Sequence, residues 1–398
     1  MIPTKMTISQ KQLYFNAFSN GVVPKGIDKE WVIGRENEFK ALEFMLEEAI
    51  NYNISSFKLL EGTYGSGKST ILCAFEQEAL NKGFVVSRFP LGSHNNFSKP
   101  EIIYRDIMNH LAISSHSGAS EFETIFDLWL KEIKSDGNAS NESNASKKIF
   151  NVIQELQKYH PSFANVLLVY IRGRINNDNE LSSLAASWIK GDYNIPIEEK
   201  RKLNIKGSID RHNAFDILRG FSKLVQLLGY NGLVIIVDEL EYILRERVDI
   251  RNRGYTTMRH LVDEIGENSW VNTVFVGAQT PDMMNNKEKG YQSYEALYQR
   301  ITSGFDDNGR IDDFSGLTTI PLRALKEEDF LEIGAKIARL QSLLVDPNHL
   351  AMLAHIELRK RENIEEKSSV AREYIKIVIH MIELAKANPN MPIFHVNK

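Results

Sequence analysis

In the stretch FKLLEGTYGSGKST, residues 57–70, three glycines, a lysine and a serine fall within eight positions. Such a loop packs poorly. Its backbone can curl so that successive N–H groups point at one phosphate, and a helix opening behind it adds the positive end of its dipole. Gly62, Gly67, Lys68 and Ser69 complete a G-x-x-x-x-G-K-S pattern between a short apolar strand and a helix. The loop Gly62, Thr63, Tyr64, Gly65, Ser66, Gly67, Lys68, Ser69 and Thr70 would therefore hold a nucleotide. Lys68 would reach the β- and γ-phosphates, and the Ser69 hydroxyl would ligate Mg2+. The pattern arises by accident in on the order of one chain in a hundred of this length, and its strand–loop–helix context lowers that chance.

The stretch LVIIVDEL supplies the second half. Asp238 stands where an apolar strand runs out at its carboxyl end, from which a carboxylate can help hold Mg2+. Glu239 is the candidate to orient and deprotonate an attacking water. The plainer alternative is a solvated acidic turn. A P-loop kinase needs no water-activating glutamate there, whereas a hydrolase does.

Stepping outward, five apolar runs read as strands: SFKLLEG, FVVSRFP (84–90), GLVIIVDEL, VNTVFVGAQT and GLTTIPL. Phe39, Leu42, Leu46 and Ile50 form one helical face, and Ile71, Leu72, Phe75 and Ala79 another. The order of strand, glycine loop, helix and strand announces a parallel α/β sheet. The strand at 84–89 lies between the P-loop strand and the Asp-Glu strand, which points to additional-strand ATPases rather than small GTPases or simple kinases. From about 100 to 230 the pattern is helical and polar, interrupted by SDGNASNESNASKK (135–148), read as a flexible loop. Beyond 325 everything reads as helix.

Composition narrows the partners. Lys and Arg number 48 against 52 Asp and Glu, a net charge of −4, so no global field favours nucleic acid. One cysteine, Cys73, excludes an intramolecular disulfide and a cysteine-based metal cluster, and it is expected to pack as a small hydrophobe. The first residues lack the basic start and apolar core of a signal peptide, and no run of 18 apolar residues occurs. A cytoplasmic protein with no membrane partner is expected. The three N-x-S sequons in GNASNESNASKK then read as linker composition.

VIGRENEF before the loop, the polar strand end Gln279–Thr280, Arg300 in EALYQRI and Arg372 in SSVAREY resemble an AAA+ ATPase of the origin-recognition-like branch. More narrowly, EGTYGSGKST, IDRHNAFDILRGFSKLVQLLGYNGLVIIVDELEYI and VAREYIKIVIHMIELAKANP are similar to the ATP-binding proteins of BREX-type phage-resistance systems. That similarity runs from about residue 15 to 390, with 135–148 a departure read as an insertion. It implies an AAA+-type parallel sheet of five strands within a core at 31–320, with a helical insertion at about 101–215. An N-terminal helical segment at 1–30 and a helical lid at 321–398 would flank it.

The resemblance also implies roles, each beside a plainer alternative. Val32, Gly34 and Arg35 would line the adenine pocket, or only form a helix-entry turn. Gln279 or Thr280 would sense the γ-phosphate or water; the residues do not decide which. Arg300 would complete a neighbouring subunit's site, or pair at the surface. Arg372 would reach the nucleotide from the lid; a cation at a helix start otherwise opposes the dipole. Together these imply an ATP-hydrolysing, Mg2+-dependent homo-oligomer that works with other phage-defence proteins, on or beside DNA. A nucleotide-gated scaffold and an origin-recognition-like DNA loader are the alternatives. The loader is disfavoured because only about a dozen residues follow the last lid helix.

Two further stretches carry weaker readings. RERVDIRNRGYTTMR (245–259) holds five arginines against two acids, enough for phosphate contacts but also an ordinary solvated face. In LGSHNNFSKPE, Phe97 with Lys99 would suit a stacking-plus-charge grip on a strand, although an ordinary loop is the simpler reading.

Overall fold

A computed structural model describes residues 6–114, 121–135, 142–302, 313–361 and 370–394. The five expected strands all form: β1 (Ser56–Glu61), β2 (Val85–Pro90), and, numbered after a further strand β3 (Leu111–Ala112), β4 (Leu233–Asp238), β5 (Thr273–Gln279) and β6 (Thr319–Pro321). They join in the order β3-β2-β4-β5-β1-β6, parallel throughout except where β3 meets β2 antiparallel. At two residues, β3 is too short to show a period, and it lies in a stretch whose pattern is helical.

Chain order and spatial order differ at the centre of the sheet. β2 follows β1 in sequence yet lies beyond β4, and β5 separates β1 from β4. Parallel register aligns Glu61 with Gln279, and Val237 with Gly277, so the carboxyl ends of β1, β4 and β5 open on one edge.

Strands buried on both faces need apolar residues at every position, and β4 has them in Leu233, Val234, Ile235, Ile236 and Val237. Val234 and Ile236 pack with Leu60, Val274 and Val276 under the helices Glu36–Tyr52 and Lys68–Asn81, through Phe39, Leu42, Leu46, Leu72 and Phe75. Ile50, on the same predicted stripe, is partly exposed at the helix end. The alternate residues Leu233, Ile235 and Val237 belong to a second cluster. That cluster runs without a break into the helices between Pro100 and Leu227.

The polar stretch at 135–148 is not a loop throughout. Residues 136–141 lie outside the described residues, but the helix Glu142–Gln157 has already begun. Its buried Val152, Ile153 and Leu156 supply a face whose packing outweighs the weak helix propensity of the serines and asparagines ahead of it.

A third apolar cluster joins both ends of the described chain. Phe15 and Phe18 of the helix Ile8–Ser19, with Ile27 and Trp31, pack on Phe330, Ile337, Tyr374 and Ile377 from the C-terminal helices Glu327–Ala338 and Val370–Ala387. Cys73 is buried in the same cluster, with its Sγ 2.7 Å from Arg88 Nη1. Among the described residues, no helix is long and apolar enough to cross a membrane.

Candidate nucleotide-binding site

The glycine-rich loop leaves β1 and turns into the helix Lys68–Asn81, with Gly65 at φ 77° and Gly67 at φ 101°. These left-handed angles are what residues with a Cβ rarely adopt. Gly62 is constrained differently: a Cβ there would stand 2.6 Å from Ser66 Oγ. No side chain caps the helix at Gly67, so its first-turn N–H groups are available to an anion.

A cleft lies over this loop, lined by Thr63 through Thr70, by Asp238, Glu239 and Glu241, and by Arg372 and Lys376. Its other wall is apolar, built from Phe18, Val23, Ile27, Trp31, Val32, Ile333 and Ile375. One side therefore suits a charged chain of phosphates and the other a flat, weakly polar ring.

The Lys68 amine is buried and donates to the Gly62 carbonyl at 2.6 Å and the Thr63 carbonyl at 3.2 Å. It sits 5.5 Å from the Tyr64 ring centroid. Burial pulls its pKa down, opposed first by Glu241 and then by Asp238 and Glu239. The Ser69 hydroxyl donates to Asp238 Oδ2 at 3.1 Å. Two hard oxygen donors so close fit Mg2+, which binds one or two carboxylates and keeps water or phosphate as its other ligands. No cluster of three or more His, Cys, Asp or Glu suited to a metal occurs among the described residues.

Glu239 is exposed and holds a left-handed backbone, φ 58° and ψ 41°, while its N–H donates to Asp238 Oδ1 at 2.9 Å. A non-glycine residue in that region is strained, and such strain concentrates where a side chain is aimed for function. Here it ends β4 and turns the glutamate to the cleft.

Of the expected adenine residues, Val32 and Arg35 line the cleft. Gly34 instead makes the turn beside them, at φ 68°. A Cβ on Gly34 would lie 2.5 Å from the Asp329 carboxylate. Arg35 is 5% exposed, donates to the Ser66 carbonyl at 3.4 Å and pairs with Glu38 at 3.9 Å. Its Nε and Nη1 are buried with no hydrogen-bond partner among the described residues. Arg372, from the first turn of the helix Val370–Ala387, reaches the same cleft.

Gln279 and Thr280 are buried behind the loop and do not contribute to the cleft lining. Gln279 uses both ends of its amide: Nε2 donates to Glu61 Oε2 at 3.2 Å, and Oε1 accepts from the Tyr291 hydroxyl at 2.9 Å. Its carbonyl also accepts from the Gly62 N–H at 3.0 Å, which ties β5 to the loop. Burial raises the Glu61 pKa. Arg300 lies outside the cleft, at the surface of the helix Glu295–Ile301, and pairs with Asp263 of its own chain.

Sequence reasoning overlooked Glu241, Glu61, Tyr291 and the N-terminal apolar wall. Glu241 alone left a trace, as the third acid of VDELE. Phe97 is wholly buried, with its ring 6.4 Å from that of Phe275, which leaves the simpler reading of its loop and not the grip on a strand. Its aromatic ring has more to gain from the core than from water. In the basic stretch, Arg251 is buried on the Glu246 carbonyl and Arg253 pairs with Asp249, while Arg245 and Arg247 are exposed.

Among solved structures, the chain is similar to Cdc6p from Pyrobaculum aerophilum, at a TM-score of 0.42 and 12% identity, covering 94% of this chain and 66% of that one. It is also similar to the ORC1 protein of Aeropyrum pernix in complex with DNA, at 0.40 and 12%, covering 89% and 61%. The chain thus spans less than two thirds of the length of either. No curated protein matches it. The family model that describes BREX system ATP-binding proteins BrxC/D matches residues 8–396, and the chain belongs to that family.

Proposed function

We propose that the protein binds ATP in this cleft and hydrolyses it, as the nucleotide-driven component of a phage-defence system. The observation that carries this reading is that Lys68, Asp238, Glu239 and Arg372, far apart in sequence, line one cleft. Backbone N–H groups of the loop and the Lys68 ammonium bind the phosphates. Ser69 and Asp238 would hold Mg2+, which supplies charge neutralisation on the β- and γ-phosphates. Glu239 orients the attacking water and accepts its proton, and Arg372 meets the phosphates from the lid side. The apolar wall excludes water from the base and covers its faces.

Gln279, linked to Glu61 and Tyr291, or Thr280 beside it, acts behind the loop as the sensor of phosphate. Arg300 acts on a neighbouring copy's site in a homo-oligomer, and Arg245 and Arg247 are the cations for DNA phosphates. Other proteins of the defence system are the expected partners. The test is ATP binding and turnover by the purified chain and by Lys68→Ala, with and without duplex DNA. Undiminished hydrolysis by Lys68→Ala would sink the assignment of the loop.

One observation favours a second reading, a nucleotide-gated scaffold with slow hydrolysis. Arg300 is already paired with Asp263 in its own chain, so it must be released before it can serve a neighbour. DNA-indifferent, slow turnover would favour the scaffold.

A further inference from the structure

Glu241 lies on the 3-10 turn Leu240–Arg245, two residues beyond Glu239. It is 7% exposed and lines the cleft. Its Oε2 is buried with no hydrogen-bond partner among the described residues. Tyr64, at the tip of the glycine-rich loop, interacts with the same carboxylate. Of the charges that act on Lys68, Glu241 ranks ahead of Asp238 and Glu239.

A buried acceptor without a donor costs about 1–3 kcal/mol. An atom kept in that condition beside a ligand cleft calls for a donor that arrives with the ligand. Phosphate oxygens are themselves acceptors and cannot satisfy an ionised carboxylate. The Lys68 ammonium gives two of its three protons to the Gly62 and Thr63 carbonyls, and the proposed function commits the third to phosphate. A water molecule beside the γ-phosphate meets the requirement, since it has protons to give.

We propose that Glu241 is a second carboxylate of the hydrolytic site, whose free Oε2 accepts a hydrogen bond from the water that attacks the γ-phosphate. This rests on the reading of the cleft as an ATP-hydrolysing site. In the step itself, the water oxygen bonds to the γ-phosphorus as the bond from that phosphorus to the bridging oxygen breaks. The bonding pair leaves on ADP, and the water proton passes to Glu239 and then to the released products. Glu241 fixes the second water proton, so that the oxygen lone pair faces phosphorus. Burial pushes the Glu241 carboxyl above its ordinary range, which makes the ionised oxygen a stronger acceptor.

The experiment compares the full-length wild-type protein with Glu241→Gln and Glu241→Asp. It reads the ATP dissociation constant, single-turnover hydrolysis with Mg2+, and the melting temperature. Glu241→Gln is expected to cut the hydrolysis rate about 10- to 100-fold, with ATP affinity within about threefold and the melting temperature unchanged. Glu241→Asp keeps the charge and withdraws the acceptor oxygen along a shorter side chain. It is expected to cut the rate about three- to tenfold by displacing the acceptor. Wild-type turnover in Glu241→Gln, or a loss of affinity and melting temperature in step with rate, overturns the proposal. So does an unchanged rate in Glu241→Asp. A wild-type protein that binds ATP without hydrolysing it overturns both this and the broader reading, which separates the two failures.

Discussion

The Ser69 hydroxyl donates to Asp238 Oδ2 at 3.1 Å, although 169 positions separate the two residues. The contact closes the gap between the helix after the glycine-rich loop and the end of β4, and it brings together two oxygen donors of the kind Mg2+ takes. Ser69→Ala and Asp238→Asn should therefore weaken ATP binding in the presence of Mg2+ by about tenfold or more. Binding measured in excess chelator should change little. Calorimetric titration under both conditions checks this, and an equal loss in both would mean that the pair only braces the fold.

Glu239 calls for a different outcome. Its strained backbone aims the side chain at the cleft. Glu239→Gln should retain ATP affinity and lose about 10²- to 10⁴-fold in turnover. The variant should trap ATP, visible as nucleotide that survives gel filtration. Normal turnover would place the base elsewhere.

Arg300 pairs with Asp263 on the surface of its own chain. If it serves a neighbour, Arg300→Ala should reduce turnover only in assembled protein, with an unchanged melting temperature. Mixing Arg300→Ala with Glu239→Gln subunits should then restore part of the activity, because some interfaces regain a complete site. No recovery at any mixing ratio would leave the residue as half of a surface ion pair.

Lys58 offers a pH test independent of nucleotide. Its ammonium is 7% exposed and donates to the Ser315 and Leu317 carbonyls, at 2.6 Å each. Burial lowers its pKa from 10.5 to about 8. The folded chain thus gives up this proton at lower pH than the unfolded chain does. The penalty for a buried charge is complete below about pH 8 and is relieved as pH rises toward 10.5. Relative to Lys58→Met, wild-type stability should rise by up to about 1.4 kcal/mol per pH unit across that window. Urea unfolding from pH 7 to 10 measures it, and a flat difference would show that the two carbonyls keep the ammonium charged.

Phe97 is a core residue, so Phe97→Ala should destabilise the fold by about 3–5 kcal/mol. DNA affinity, measured at a temperature where the variant stays folded, should not follow. A selective loss of DNA binding with stability intact would return Phe97 to a gripping role.

Much of this site was readable from sequence because its chemistry is local. Gly62 through Thr70 must be contiguous for one backbone loop to curl around a phosphate, and Asp238–Glu239 must follow an apolar run because a carboxylate belongs where a buried strand reaches solvent. The family membership, by a match that spans residues 8–396, is likewise read from the sequence. Tertiary structure alone decided the rest. Pattern along the chain reports which faces are apolar, not which strand lies beside which, so β5 between β1 and β4 was invisible, as was the bond from Gln279 to Tyr291. Phe97 and Glu241 show the limit from both sides. An aromatic ring and a carboxylate look equally at home in a loop or a turn, and only the packing around them buried the first in the core and left one oxygen of the second without a donor among the described residues.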